Sequence, residues 1–234
     1  MDVAGKKAVV FGGTSGIGLA TTLRLAEGGA DVVAVSRNPD RAGSVPERVT
    51  LAACDVTDGE AVEALCAEHG PYDVLISAAT GGDRSIGPFL EMDMAGYQGS
   101  FDKLWGYANV VRYGAHHLAD DGAIVLVSGS PARRCKPGQV SLASVGAAVE
   151  QLVRSVAPEI APRRINVVSP GSIDTPIMPV QGEKRAEIYA AMTADNLIPR
   201  PGTADEVAEA IMFCVSNDFV TGTTVDVDGG WLLS

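Results

Sequence analysis

The stretch Gly12-Gly13-Thr14-Ser15-Gly16-Ile17-Gly18 constrains the fold of this chain more than any other, because of where it lies. A short apolar run, 6–11, precedes it, and Leu19, Leu23 and Ala26 follow at helical spacing. A glycine-rich turn leading from a first strand straight into a helix has a specific physical use. Gly12 lets the chain turn, Gly16 lets the backbone approach a pyrophosphate with no Cβ in the way, and Gly18 lets the helix pack closely on the strand. The helix opening, expected near Ile17, offers unpaired N–H groups and a partial positive charge, so Thr14, Ser15 and Ile17 complete a cradle for phosphates. The competing reading is a tight turn that binds nothing; three spaced glycines at this position favour binding.

The rest of the chain repeats the pattern. Runs 6–11, 31–36, 48–53, 72–77, 123–128, 164–168 and 224–227 are rich in β-branched residues, and segments of helical period separate them. Parallel strands need long crossovers, which helices fill, so the alternation predicts an α/β Rossmann fold: a doubly wound, seven-stranded parallel sheet with helices on both faces. No internal boundary is visible, and one domain over 1–234 is expected. The least regular stretch, from Pro170 to about Pro201, reads as a long excursion over a site.

Charge restricts the partners. With 18 Lys and Arg against 29 Asp and Glu, a formal charge of −11 repels nucleic acid and anionic membranes, and no basic patch offsets it. The four cysteines, Cys54, Cys66, Cys135 and Cys214, are far apart, and no metal-ligand spacing appears, so free thiols and no metal are expected. Neither a secretory signal nor a membrane span is evident, which points to the cytoplasm.

The carboxyl ends of the strands add candidates for holding a dinucleotide. Ser36-Arg37-Asn38 follows the second strand, with Arg41 close behind. An acidic residue there would suit NAD(H), whereas a guanidinium can pair with a 2′-phosphate, so NADP(H) is preferred and NAD(H) remains possible. Arg37 as a solvated surface charge is the alternative. Asp55-Val56 follows the third strand, with Asp55 placed to receive the adenine amino group; as a helix cap it is less well placed than Thr57 or Asp58. Ser77-Ala78-Ala79 follows the fourth strand, along the same crevice.

Taken together, the glycine turn, Asp55-Val56, the helix after Ser141, Asn166-Val167-Val168-Ser169-Pro170-Gly171, Thr175 and the ending 221–230 resemble the short-chain dehydrogenase/reductase family over essentially the whole chain. The resemblance implies a nicotinamide cofactor, places Pro170, Gly171, Ile173 and Thr175 beside it, and implies a homodimer or homotetramer through the helices expected at 92–118 and 139–160. It also exposes a departure. The family's catalytic tyrosine and lysine positions fall on Leu142 and Gly146, and its serine position on Gly129, between Ser128 and Ser130. A leucine neither exchanges protons nor orients a ribose, and losing positioned acid–base help removes ~10²–10⁴ in rate.

Replacement groups are therefore sought. Lys103, near the family's helix asparagine, has the chemistry to stabilise an oxyanion or, if desolvated, to act as an acid; the alternative is a surface lysine. Ser130 is the second catalytic candidate, with a turn residue before Pro131 as its alternative. Tyr107 and Tyr113 read as packing, His116 and His117 as helix-end residues, and Arg133, Arg134 and Lys136 either as an attractor for acidic substrates or as a solvated loop. The leading expectation is an NADP(H)-dependent oxidoreductase with a non-standard proton donor, acting on a small-molecule carbonyl, imine or activated alkene. A non-catalytic NADP(H)-binding sensor or partner, and a non-redox enzyme on the same fold, are the alternatives.

Overall fold

A computed structural model describes residues 1–80, 82 and 84–234. Its elements run β1 (Lys7–Phe11), α1 (Gly16–Glu27), β2 (Asp31–Ser36), β3 (Val49–Ala53), α2 (Gly59–His69), β4 (Tyr72–Ser77), α3 (Met94–Gly99), α4 (Asp102–Gly114), β5 (Leu118–Val127), α5 (Val140–Ile160), β6 (Arg164–Pro170), β7 (Ile173–Asp174), α6 (Gly182–Thr193), β8 (Gly202–Thr203), α7 (Ala204–Ser216) and β9 (Thr224–Val227). Seven strands form one parallel sheet in the order β3-β2-β1-β4-β5-β6-β9.

Helices cover both faces of the sheet, so its central strands are apolar at consecutive positions rather than alternate ones. Their side chains still alternate between two cores. Val9, Phe11, Val33 and Val35 join Val62 and Leu65 of α2, Tyr107 and Val110 of α4, and Val149 and Val153 of α5. Ala8, Val10, Val32 and Ala34 join Leu25 of α1 with Val207 and Ile211 of α7 on the other side. The strand order reverses direction between β1 and β4, which opens a crevice at their carboxyl ends. The glycine turn lies at that point.

Several features differ from the sequence reading. β5 begins at Leu118 rather than 123, because Leu118 pairs with Tyr72 before the register shifts to Val74 and Ala123. β6 continues through Pro170, whose Cα partner is Val227; proline donates nothing to a ladder, and the next amide, Gly171, bonds Val227 instead. The helix expected over 92–118 is broken into α3 and α4, where Ser100 Oγ bonds back to Gly96 O and accepts from Ser85 N. The excursion after Pro170 is more ordered than its composition suggests, since β7 pairs with β8 and α6 lies between them.

Candidate active site

The glycine turn has the geometry of a close-approach cradle. Gly12 has φ +77° and Gly16 φ +50°, both in the region that side chains avoid. A Cβ at Gly18 would fall 2.0 Å from Gly12 O, and one at Gly12 would fall 2.7 Å from Ala79 N, so strand, helix and β4 end approach without side chains between them. Helix α1 opens at Gly16, one residue earlier than expected. Ser15 is its exposed, extended N-cap and makes no side-chain cap bond, while Leu19 N donates the first helical bond to Ser15 O. The amides of Gly16, Ile17 and Gly18 thus precede the helical ladder and remain available as donors. Thr14 is buried beneath them.

Beside the cradle, Arg37 and Asn38 are exposed at the end of β2. Asp55 accepts from Thr57 N at 3.0 Å and Thr57 Oγ1 at 2.8 Å. These bonds hold its carboxyl below the usual range, and the nearby Arg37 guanidinium adds to the effect. Asp58, not Asp55, caps α2, accepting from Ala61 N at 3.1 Å, so Asp55 is not committed as a cap. Val56 is buried against Gly106, and its carbonyl accepts from Asn109 Nδ2 at 2.9 Å. Ala78 N bonds Phe11 O at 2.9 Å, tying the end of β4 to β1.

From the other end of the chain, Thr175 arrives at the same turn: a Cβ on Gly16 would lie 3.4 Å from Thr175 Cβ. Gly171 packs where a Cβ would meet Asp228 Cα at 2.8 Å, and Ile173 is buried in β7. The hydroxyls of Ser36, Ser77, Ser130 and Ser169 are buried without a hydrogen-bond partner. Orphaned hydroxyls along the strand ends, together with unpaired amides at the opening of α1, fit a polar ligand in this crevice. Gly12 to Gly18 would hold the pyrophosphate, Ser36, Arg37, Asn38 and Asp55 the adenosine half, and Ile173 and Thr175 the nicotinamide half. Among the described residues no group of His, Cys, Asp or Glu is placed to hold a metal ion.

The neighbouring face, where the family's acid–base groups would project, is packed rather than polar. A Cβ at Gly146 would fall 3.0 Å from Ala132 Cβ and 3.2 Å from Ser128 Oγ, and Ser128 Oγ donates to Gly146 O at 3.1 Å. Leu142 is half-buried one turn earlier. Lys103 enters this region from α4. Its Nζ donates to Ser128 O at 3.1 Å and lies 5.5 Å from the centre of the Tyr107 ring. Burial, reinforced by the Arg84 guanidinium, pushes the ammonium down to about 7. Ser130 is fully buried, with its hydroxyl unpartnered.

The other candidates have structural partners. Tyr107 is buried and donates to Val127 O at 3.0 Å, and Tyr113 packs by Gly59. His116 and His117 close α4 in a short turn. Arg133 forms a two-pronged pair with Asp226 and lies 3.3 Å from the buried Glu150, while Arg134 donates to Trp231 O at 2.6 Å. Lys136 stands 3.9 Å from Asp195. These cations staple the β5–α5 loop to β9 and the C-terminus, so neither an attractor nor a solvated loop describes Arg133 and Arg134.

Two residues that hold the 173–180 segment escaped the sequence reading. Arg185 on α6 bonds Asp174, Thr175, Met178 and Val180, and Tyr189, one turn later, donates to Ile173 O at 2.9 Å. An arginine and a tyrosine four residues apart were the available signal.

Comparison with known proteins agrees with this fold. The family profile described as Enoyl-(Acyl carrier protein) reductase matches residues 12–232. Cis-4-hydroxycyclohexanecarboxylate dehydrogenase of Sinomonas cyclohexanicum is 36% identical over 245 residues, covering 97% of each chain. A crystal structure of a small-chain dehydrogenase in complex with NADPH is 28% identical, covering 98% of this chain and 100% of its own, with a TM-score of 0.84. A short chain oxidoreductase from Pseudomonas aeruginosa PAO1, described as containing an atypical catalytic center, is 29% identical, covering 99% of this chain and 98% of its own, with a TM-score of 0.87.

Proposed function

Because this chain belongs to the short-chain dehydrogenase/reductase family and is an oxidoreductase of that type, we propose that it works with NADP(H) through a rebuilt acid–base site in which Lys103 is the proton donor. The substrate class is a small-molecule carbonyl, imine or activated alkene. One observation carries the proposal: an amine poised near neutrality, 3.1 Å from Ser128 O, beside positions where Leu142 and Gly146 supply no acid.

The dinucleotide, when bound, supplies the hydride. In the carbonyl case the Lys103 ammonium would give its proton to the substrate oxygen as that oxygen gains charge, leaving a neutral amine. Solvent then reprotonates the amine. Ser130, fully buried in the β5–α5 loop, is assigned to shape that loop beside Lys103 rather than to touch the substrate. Arg37 supports NADP(H) over NAD(H), standing exposed at the end of β2 near Asp55, where a 2′-phosphate would find a planar fork of donors. A homodimer or homotetramer through α4 and α5 is the assembly we propose, supported by Trp105, which is 65% exposed on α4.

The test is a substrate screen followed at the reduced nicotinamide absorbance band, repeated with Lys103→Met. Turnover in the parent that is lost in the variant, with NADPH affinity retained, supports the proposal. Equal turnover in both proteins would remove Lys103 from the chemistry.

A further inference from the structure

Helix α6 is polar and mostly exposed, burying only Tyr189 and Thr193, so apolar packing does little to fix it. It is nevertheless bound to the 173–180 segment by two side chains one helical turn apart. Arg185, whose side chain is 15% exposed, donates through Nε to Asp174 Oδ1 at 2.9 Å and through Nη1 to Met178 O at 2.6 Å and Val180 O at 2.9 Å. Nη2 donates to Thr175 O at 2.8 Å and again to Asp174. These bonds use all the N–H donors of a guanidinium, and every acceptor lies between Asp174 and Val180. The guanidinium also stands 5.4 Å from the Tyr189 ring, while Tyr189 Oη bonds Ile173 O at 2.9 Å.

Between β7 and α6 the chain has no regular ladder, and backbone carbonyls without one need other donors. Arg185 supplies them to Thr175, Met178 and Val180, Thr175 O also accepting from Met178 N, while Tyr189 ties down Ile173 at the start of the segment; what the pair holds includes Thr175, the residue that meets Gly16. We infer that Arg185 and Tyr189 are positioning residues that keep the 173–180 segment in the shape that receives the nicotinamide half of the dinucleotide. The inference rests on the cofactor reading above and adds a division of labour: Arg37 and its neighbours hold the adenosine end and the glycine turn the pyrophosphate, whereas the α6 clamp governs the nicotinamide end.

That division is testable by calorimetry with two ligands, NADPH and 2′,5′-ADP, the second carrying only the adenosine half. Arg185→Ala weakens NADPH by roughly tenfold or more, from loss of several charge-assisted bonds, while 2′,5′-ADP affinity stays within about twofold. Tyr189→Phe removes one hydrogen bond and keeps the ring, and shows the same selectivity at about two- to fivefold. A parallel loss for both ligands, or no loss for either, overturns the inference by making the clamp merely structural or idle. If Arg185→Ala does not fold, Tyr189→Phe decides by the same split. Failure of the unmodified protein to bind 2′,5′-ADP overturns the cofactor reading itself, a result distinct from loss of selectivity.

Discussion

The end of β1 and the end of β5 face the same crevice but have been treated in opposite ways. Around β1, glycines let the protein's own chain come close: Gly12 against Ala79 N, Gly18 against Gly12 O and Gly16 against the Thr175 side chain. Around β5, Gly146 lies against the side chains of Ala132 and Ser128. The first end stays open because the amides of Gly16, Ile17 and Gly18 precede the helical ladder, and the second is filled because a neighbouring turn seats on α5. Under the proposed function the β1 end is the binding half and the β5 end a rebuilt chemical half. That reading makes binding and proton transfer separable by substitution.

The comparison is broken most severely at the open end. Gly18→Ala places a methyl where Gly12 O lies 2.0 Å away, so the first turn of α1 must lift off the strand; calorimetry is expected to detect no dinucleotide binding. At the filled end, Lys103→Met lowers turnover by ~10²–10⁴ and leaves NADPH affinity unchanged in steady-state and binding assays. In the parent, reduction should slow as pH rises through about 7, because in the proposed mechanism the ammonium form is the donor and is lost above that value. The stability sign is separate. The folded-state value lies below the ordinary 10.5, so burying the ammonium costs stability at low pH, and that cost is relieved as pH rises from about 7 toward 10.5. Thermal melts across that window should show the relief in the parent and not in Lys103→Met.

Smaller effects sharpen the contrast. Arg37→Ala should reduce the preference for NADPH over NADH by roughly 10- to 100-fold, since one charge-assisted pair contributes ~1.5–3 kcal/mol. Paired affinity measurements with the two nucleotides check it. Restoring the family's pair with Leu142→Tyr and Gly146→Lys should not raise turnover, because the Ala132 Cβ is 3.0 Å from the new Cβ. Overpacking there should cost ~1–3 kcal/mol, read from denaturant midpoints, whereas a gain in rate would show that the filled end is still a vacant copy of the open one.

Much of this was legible in the sequence wherever a local rule also served the whole fold. The seven strands follow from buried β-branched runs, and the cradle follows from glycines whose spacing a strand-to-helix turn requires. Helix α6 was not legible because Tyr189 and Thr193 are its only buried residues, leaving no apolar stripe to count. The break between α3 and α4 was hidden for a related reason: Ser100 turns its hydroxyl to Gly96 O, a local bond that hydrophobic spacing does not register. Arg133 and Arg134 looked like a free basic loop because Asp226 and Trp231 lie about a hundred residues away in the chain, beyond any local pattern. The identity of Lys103 was readable, but its desolvated setting depends on Tyr107, Ser128 and Arg84 meeting in space.

The most direct test of a retained binding half beside a rebuilt chemical half is one calorimetric titration of NADPH into three proteins: the parent, Lys103→Met and Gly18→Ala. Equal heats and affinities for the first two, with none for the third, are predicted. No heat from the parent, or affinity lost in Lys103→Met while Gly18→Ala still binds, would contradict it.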